Sequence, residues 1–129
     1  MICLISALEF HHLTTQIAHN VWIAIENKKW EPTFQYPPLE IVRLTGRAFS
    51  FGVEEHEVDR ILVKIYSPAK TVADCFKFRN KVGLDVALEA LRETWRIRKV
   101  TMDELWDAAK VCRVCRVANV MRPYLEAVI

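Results

Sequence analysis

The chain has 129 residues, enough for a single domain around one hydrophobic core and too few for two. Apolar residues make up 52% of it and glycine occurs only three times, which excludes a disordered tail. Eighteen basic against sixteen acidic residues leave a formal charge of +2, short of the one-sided basic excess that marks an electrostatic DNA binder.

The apolar opening carries Leu4, Ile5 and Leu8 at helical spacing and predicts a short helix over Ile2 to Phe10. No polar lead-in or capping residue precedes it, so the chain reads as starting inside a fold. A basic leader and a small-residue cleavage site are missing too, which argues against a signal peptide. His11 to Asn20 is a connector. Val21 to Glu26 is a compact β-branched and aromatic run, predicting a buried strand. Asn27-Lys28-Lys29 is turn-like, and Pro32, Pro37 and Pro38 keep the next stretch extended. Leu39 to Leu44 predicts a second strand that ends at Thr45-Gly46. Phe49 to Val58 and Ile61 to Tyr66 predict a hairpin turning at Asp59-Arg60. A type I′ turn there needs positive φ at both residues, and arginine in that conformation costs about 1 kcal/mol relative to glycine.

From Ser67 the period changes to helical. Ser67 is an N-cap and Pro68 sits at the first helical position, where its missing N–H costs nothing. The helix turns Val72, Cys75, Phe76 and Phe78 inward and ends near Asn80 to Gly83. A second helix carries Leu84, Ala87, Leu88, Leu91 and Trp95. Thr101 and Glu104 form a capping box for a third, through Leu105, Ala108 and Cys112. Val114 to Val128 is a fourth helical stretch, kinked or restarted by Pro123. Strands grouped before helices predict one α+β domain over residues 1–129. Its sheet is mostly antiparallel, of about four strands after a short N-terminal helix, and packs on three to four C-terminal helices. No run reaches the roughly 20 apolar residues of a membrane helix. Cys3, Cys75, Cys112 and Cys115 lie in apolar surroundings and read as reduced thiols, which sets the expected location in the cytoplasm.

No catalytic constellation emerges. His11-His12 with His19 and Cys3 has metal-ligand residue types, but adjacent histidines point apart, and no metal or other cofactor is expected. Cys112 and Cys115 have CxxC spacing without a second ligand pair, which on a helix is a small apolar stripe. The hairpin arm Glu54, Glu55, Glu57, Asp59 with His56 reads as a solvated face. As an alternative, Glu55, Glu57 and Lys64 would be the acidic pair and lysine of a metal-dependent nuclease-like site. A helix-turn-helix across Pro68 to Arg98 is rejected. Its second helix would open on Leu84-Asp85, where arginine, asparagine or glutamine should meet base edges. What stands out is charge segregation: Lys70, Lys77 and Lys81 recur near helical spacing, interrupted by Asp74, and Arg92, Arg96 and Lys99 form a second stripe with Asp85, Glu89 and Glu93 on a neighbouring face. Opposite-signed faces suit a protein partner. Lys70, Lys77, Arg79, Lys81, Arg92 and Arg96 are the expected partner-binding surface.

Three stretches carry a family likeness. They are Val63 to Arg79 (VKIYSPAKTVADCFKFR), Gly83 to Leu91 (GLDVALEAL) and Val117 to Leu125 (VANVMRPYL). Together they resemble the C-terminal domain of AbiEi-family antitoxins, the transcriptional regulators of abortive-infection toxin–antitoxin operons. The resemblance implies a non-enzymatic antitoxin half that counteracts a nucleotidyltransferase toxin, the cognate protein partner. It also places a winged helix-turn-helix, which binds promoter DNA, ahead of such a domain. That element is absent from this sequence, so DNA is not an expected partner, and an uncovered apolar face under Ile2 to Leu8 would allow a homodimer. The family resemblance further leads one to expect glycine at the Asp59-Arg60 turn, and a single Val-Cys-Arg where this sequence has two (Val111 to Arg113, Val114 to Arg116). Three extra residues inside a helix would rotate all later residues by about −60°.

Overall fold

A computed structural model describes residues 1–26, 38–97, 99–112 and 115–128, with only the backbone of 115–119 and 128. In chain order the elements are α1 (Leu4–Phe10), β1 (Val21–Glu26), β2 (Leu39–Leu44), α2 (Arg47–Ser50), β3 (Val53–Val58) and β4 (Ile61–Tyr66). After them come α3 (Pro68–Lys77), α4 (Arg79–Val82), α5 (Leu84–Arg96), α6 (Met102–Val111) and α7 (Cys115–Val128). Helices and strands are mixed as expected, and the strands precede the long helices. The sheet departs from expectation.

Instead of one antiparallel sheet of four strands, the described residues form two two-stranded sheets. β3 and β4 are the antiparallel hairpin, with Val53 opposite Tyr66 and Val58 opposite Ile61. β1 and β2 run parallel, Val21 beside Leu39 and Glu26 beside Leu44. Strand composition does not encode pairing direction. The connection over residues 27–38 has the dozen residues a parallel crossover needs, where a tight antiparallel return needs two. The turn and prolines read into residues 27–37 lie outside the described residues.

Between the two sheets lies the start of the chain. Ile2 bridges antiparallel to Ile23 of β1 and parallel to Ile65 of β4. Its N–H donates to the Lys64 carbonyl at 2.9 Å, and its own carbonyl accepts from the Tyr66 N–H at 3.2 Å. The opening apolar residues therefore begin as extended backbone, and the helix starts at Leu4, after an uncapped Cys3 at φ −141°. The missing capping residue is the sequence signal of this.

The Asp59-Arg60 turn takes positive φ at both residues, 51° and 68°. Ahead of the hairpin, Arg47–Ser50 forms one helical turn where the sequence suggests an early start of the strand. Gly52 then turns the chain at φ +75°, and a Cβ there would stand 2.7 Å from Lys70 Cβ.

α3 organises the helical layer. Ser67 Oγ accepts from the Lys70 N–H and Pro68 sits in the first turn, as expected. α3 packs against α1, α5, α6 and α7, and Ala69 through Phe76 are all buried. A helix covered on every side has no solvent face on which to place a lysine. The first helical stretch stops at Lys77; Arg79–Val82 form a separate turn, and Gly83 at φ +97° opens α5. Thr101 and Glu104 make the reciprocal capping box of α6. α7 continues through Pro123. The Val-Cys-Arg repeat falls at the break between α6 and α7; its residues 113 and 114 lie outside the described residues. A helix interruption absorbs three extra residues without the −60° rotation a continuous helix would suffer.

One connected core joins the layers. It runs from Cys3, Leu4 and Leu8 through Ala24, Val42 and Tyr66 to Phe76, Leu91, Leu105, Met121 and Leu125. Among the described residues no helix is long and apolar enough to cross a membrane.

Candidate functional site

The expected basic surface divides in the fold. Lys70 is fully buried and belongs to the interior. Its Nζ donates to Asp74 Oδ2 at 2.6 Å and lies 4.0 Å from the centroid of the Tyr66 ring. Asp74 Oδ1 accepts from Cys112 Sγ at 3.1 Å, and the Tyr66 hydroxyl donates to the Phe49 carbonyl. Thr71 Oγ1 donates to the Tyr66 carbonyl. The polar letters of Ser-Pro-Ala-Lys-Thr-Val-Ala-Asp thus serve a cap and a buried ion pair that fixes α3 against β4 and α6. Sequence spacing alone makes Lys70 solvent-facing because it assumes a one-sided α3.

Burial pushes Asp74 above the usual carboxylate range, with the neighbouring Lys70 ammonium opposing it. Burial also raises the Tyr66 hydroxyl and the thiols of Cys3, Cys75 and Cys112 well above their ordinary values. These three cysteines are unpaired with one another and buried where desolvation favours the thiol, the opposite of a reactive thiolate environment. The side chain of Cys115 lies outside the described residues.

The other five basic residues sit at or near the surface. Lys77 stands over the Phe78 ring at 5.5 Å, and Arg79 Nη1 donates to the Phe76 carbonyl at 2.9 Å, both half-buried at the α3–α4 junction. Lys81 on α4 and Arg92 on α5 are exposed. Arg96, one turn beyond Arg92, binds Glu93 through two hydrogen bonds of 3.0 and 2.7 Å. α4 packs directly on α5, the helix that carries Arg92 and Arg96. The acidic stripe is partly spent inside the fold. Glu89 Oε1 accepts from the Thr14 hydroxyl and the Thr15 N–H, both at 3.0 Å, tying α5 to the connector. The Thr15 amide holds the Glu89 carboxyl below the usual range.

The residues of the nuclease-like alternative share the outer face of the hairpin. Glu55, Glu57 and Lys64 are exposed, and Glu55 lies directly across from Lys64 in the ladder. Exposed side chains of opposite charge at facing ladder positions are common on a solvated sheet face.

The opposite face of the same strand is different. Glu54 and His56 face His11, which leaves the end of α1 far away in sequence. One ligand atom from each of the three lies within 4.8 Å of the other two, the single such group among the described residues. His56 Nε2 and Glu54 Oε1 are 2.9 Å apart. His11 Nε2 lies 2.8 Å from the Tyr66 carbonyl, and burial pushes the His11 imidazole below its ordinary value. Along the chain His11 groups with His12, His19 and Cys3, and the three-residue cluster goes unseen. The available signal is the strand alternation, which puts Glu54 and His56 on one face and Glu55 and Glu57 on the other.

Two further features line the surface. A cleft of about 480 Å³ is bounded, among the described residues, by Trp95, Val100, Thr101 and Met102. The hairpin tip leaves Val58, Ile61 and Leu62 exposed. Comparison with models of protein families and with the curated proteins returns no match.

Proposed function

We propose that the chain is a non-enzymatic, antitoxin-like module of the cytoplasm that counteracts a nucleotidyltransferase-type toxin. The partner meets the exposed cations of α4 and α5, Lys81, Arg92 and Arg96, with Lys77 and Arg79 at the edge. What carries this reading is the run from Val63 to Leu91, which keeps the AbiEi-like succession of strand, Ser-Pro helix and Gly-Leu-Asp helix. Its buried letters build a scaffold, and Lys81 within it and Arg92 and Arg96 just beyond it are exposed cations. Complementary charge steers such an encounter and sets its specificity. DNA is not assigned as a partner: the formal charge is only +2 and α5 opens with Leu84-Asp85. Buried thiols and a solvated acidic hairpin face support the non-enzymatic part. Recovery of a nucleotidyltransferase at near-stoichiometric yield on the tagged chain from host lysate is the expected result. Recovery of the chain alone would count against direct neutralisation.

A homodimer is a second reading; the expected Ile2 to Leu8 face is covered, with Leu4, Ala7 and Leu8 buried in the core, and the reading rests instead on the apolar hairpin tip, where Ile61 and Leu62 are 65% and 69% exposed. An Ile61→Glu variant with an unchanged solution mass would remove it.

A further inference from the structure

We propose that His11, Glu54 and His56 form a binding site for a divalent transition-metal ion of the zinc class, clipping the end of α1 to strand β3. The site is independent of the antitoxin reading.

Two imidazoles and one carboxylate are a donor set zinc takes with three protein ligands and an open fourth position. The three residues come from two elements and converge to within 4.8 Å without a ligand in place. A lone core histidine needs only one satisfied nitrogen; here a second histidine and a carboxylate meet it from another element.

One nitrogen of His11 is already committed. The Tyr66 carbonyl can only accept, so Nε2 of His11 carries the proton and its lone pair remains on Nδ1. A backbone carbonyl on the distal nitrogen is the usual partner that orients a metal-bound imidazole. Phe10 backs both rings, its centroid 5.2 Å from that of His11 and 4.7 Å from that of His56. His56 and Glu54 hold a proton between Nε2 and Oε1 at 2.9 Å. A divalent ion would take that proton's place at Nε2, the proton shifting to Nδ1 of a neutral imidazole or passing to water from an imidazolium. Glu54 and His56 side chains are 41% and 33% exposed, so an ion can reach the site from solvent and keep a water as fourth ligand.

The probe is cobalt(II) added to the full chain, monitored by visible absorption and competed with zinc; the melting temperature is read with and without zinc. The expected result is one cobalt per chain with tetrahedral ligand-field bands, displaced by zinc, and a melting temperature raised by zinc but not by magnesium. Glu54→Gln and His56→Ala should weaken binding by more than the roughly 10–100-fold cost of losing an outer-shell partner. Glu54 is partly exposed and glutamine keeps an acceptor for His56, so Glu54→Gln should melt like the parent without metal. Glu57→Gln, on the other face, should bind as the parent does. No ligand-field bands and no zinc-dependent shift would overturn the proposal. So would equal binding by all variants, or thiolate charge-transfer bands placing the ion on a cysteine.

Discussion

Replacing Lys70 by methionine removes an ammonium while keeping an unbranched stem, and the structure sets the cost. Nζ is 2.6 Å from Asp74 Oδ2 with both side chains buried, so the variant leaves a core carboxylate with the weak Cys112 donor in place of its cation. Breaking a buried pair from one side costs about 3–5 kcal/mol, and loss of the cation over Tyr66 lies within that range. A solvent-facing lysine at this position would cost within about 0.5 kcal/mol. The loss should depend on pH. Burial then dominates at Asp74 and holds its folded pKa above the unfolded value of about 3.9. A raised folded pKa gives stability that is complete below the unfolded value and lost as pH rises. The deficit of Lys70→Met should therefore be small near pH 4 and grow toward neutrality. Urea unfolding monitored by tryptophan fluorescence, repeated between pH 4 and 8, reads both. The double variant Lys70→Met/Asp74→Leu, which removes both charges, should recover to within about 1–2 kcal/mol of the parent. A single-variant loss below about 1 kcal/mol at pH 7, flat across pH, would refute the buried pair.

Three other perturbations act through local geometry. Gly52→Ala must place a Cβ at φ +75° and 2.7 Å from Lys70 Cβ, and should cost about 2–4 kcal/mol in the same unfolding assay. Arg60→Gly relieves a positive φ of 68° in the hairpin turn and should stabilise by about 0.5–1 kcal/mol, read as a rise in melting temperature. Glu89 is held below the usual range by the Thr15 amide, so its contribution is present above the unfolded glutamate pKa of about 4.3 and lost as pH falls through the folded value. Solvent screening limits it to about 0.5–1 kcal/mol, and Glu89→Gln should abolish that acid-sensitive part of the stability curve.

Much of the local structure is legible in the sequence. β1, β2 and β4 begin and end where the β-branched runs do, and Ser67, Pro68, Thr101 and Glu104 act as the capping chemistry requires. Even the Asp59-Arg60 turn, unfavourable by composition, takes the conformation a two-residue hairpin demands. The hidden part depends on assembly. Pairing direction of β1 and β2 is not written in either strand, and a bridging Ile2 looks like any apolar helix start. Lys70 looks outward because amphipathic spacing assumes one buried face, whereas α3 is surrounded. The His11–Glu54–His56 group is invisible for the same reason, since only the fold brings the end of α1 to β3.

The central claim is that exposed cations of α4 and α5 meet a toxin while Lys70 serves the interior. The direct measurement is growth of host cells expressing the cognate toxin together with this chain, wild type or Lys81→Glu/Arg92→Glu/Arg96→Glu, the variant first matched to the parent in melting temperature. Rescue by the wild type and its loss in the folded triple variant is the predicted result. Equal rescue by the charge-reversed chain would contradict the account.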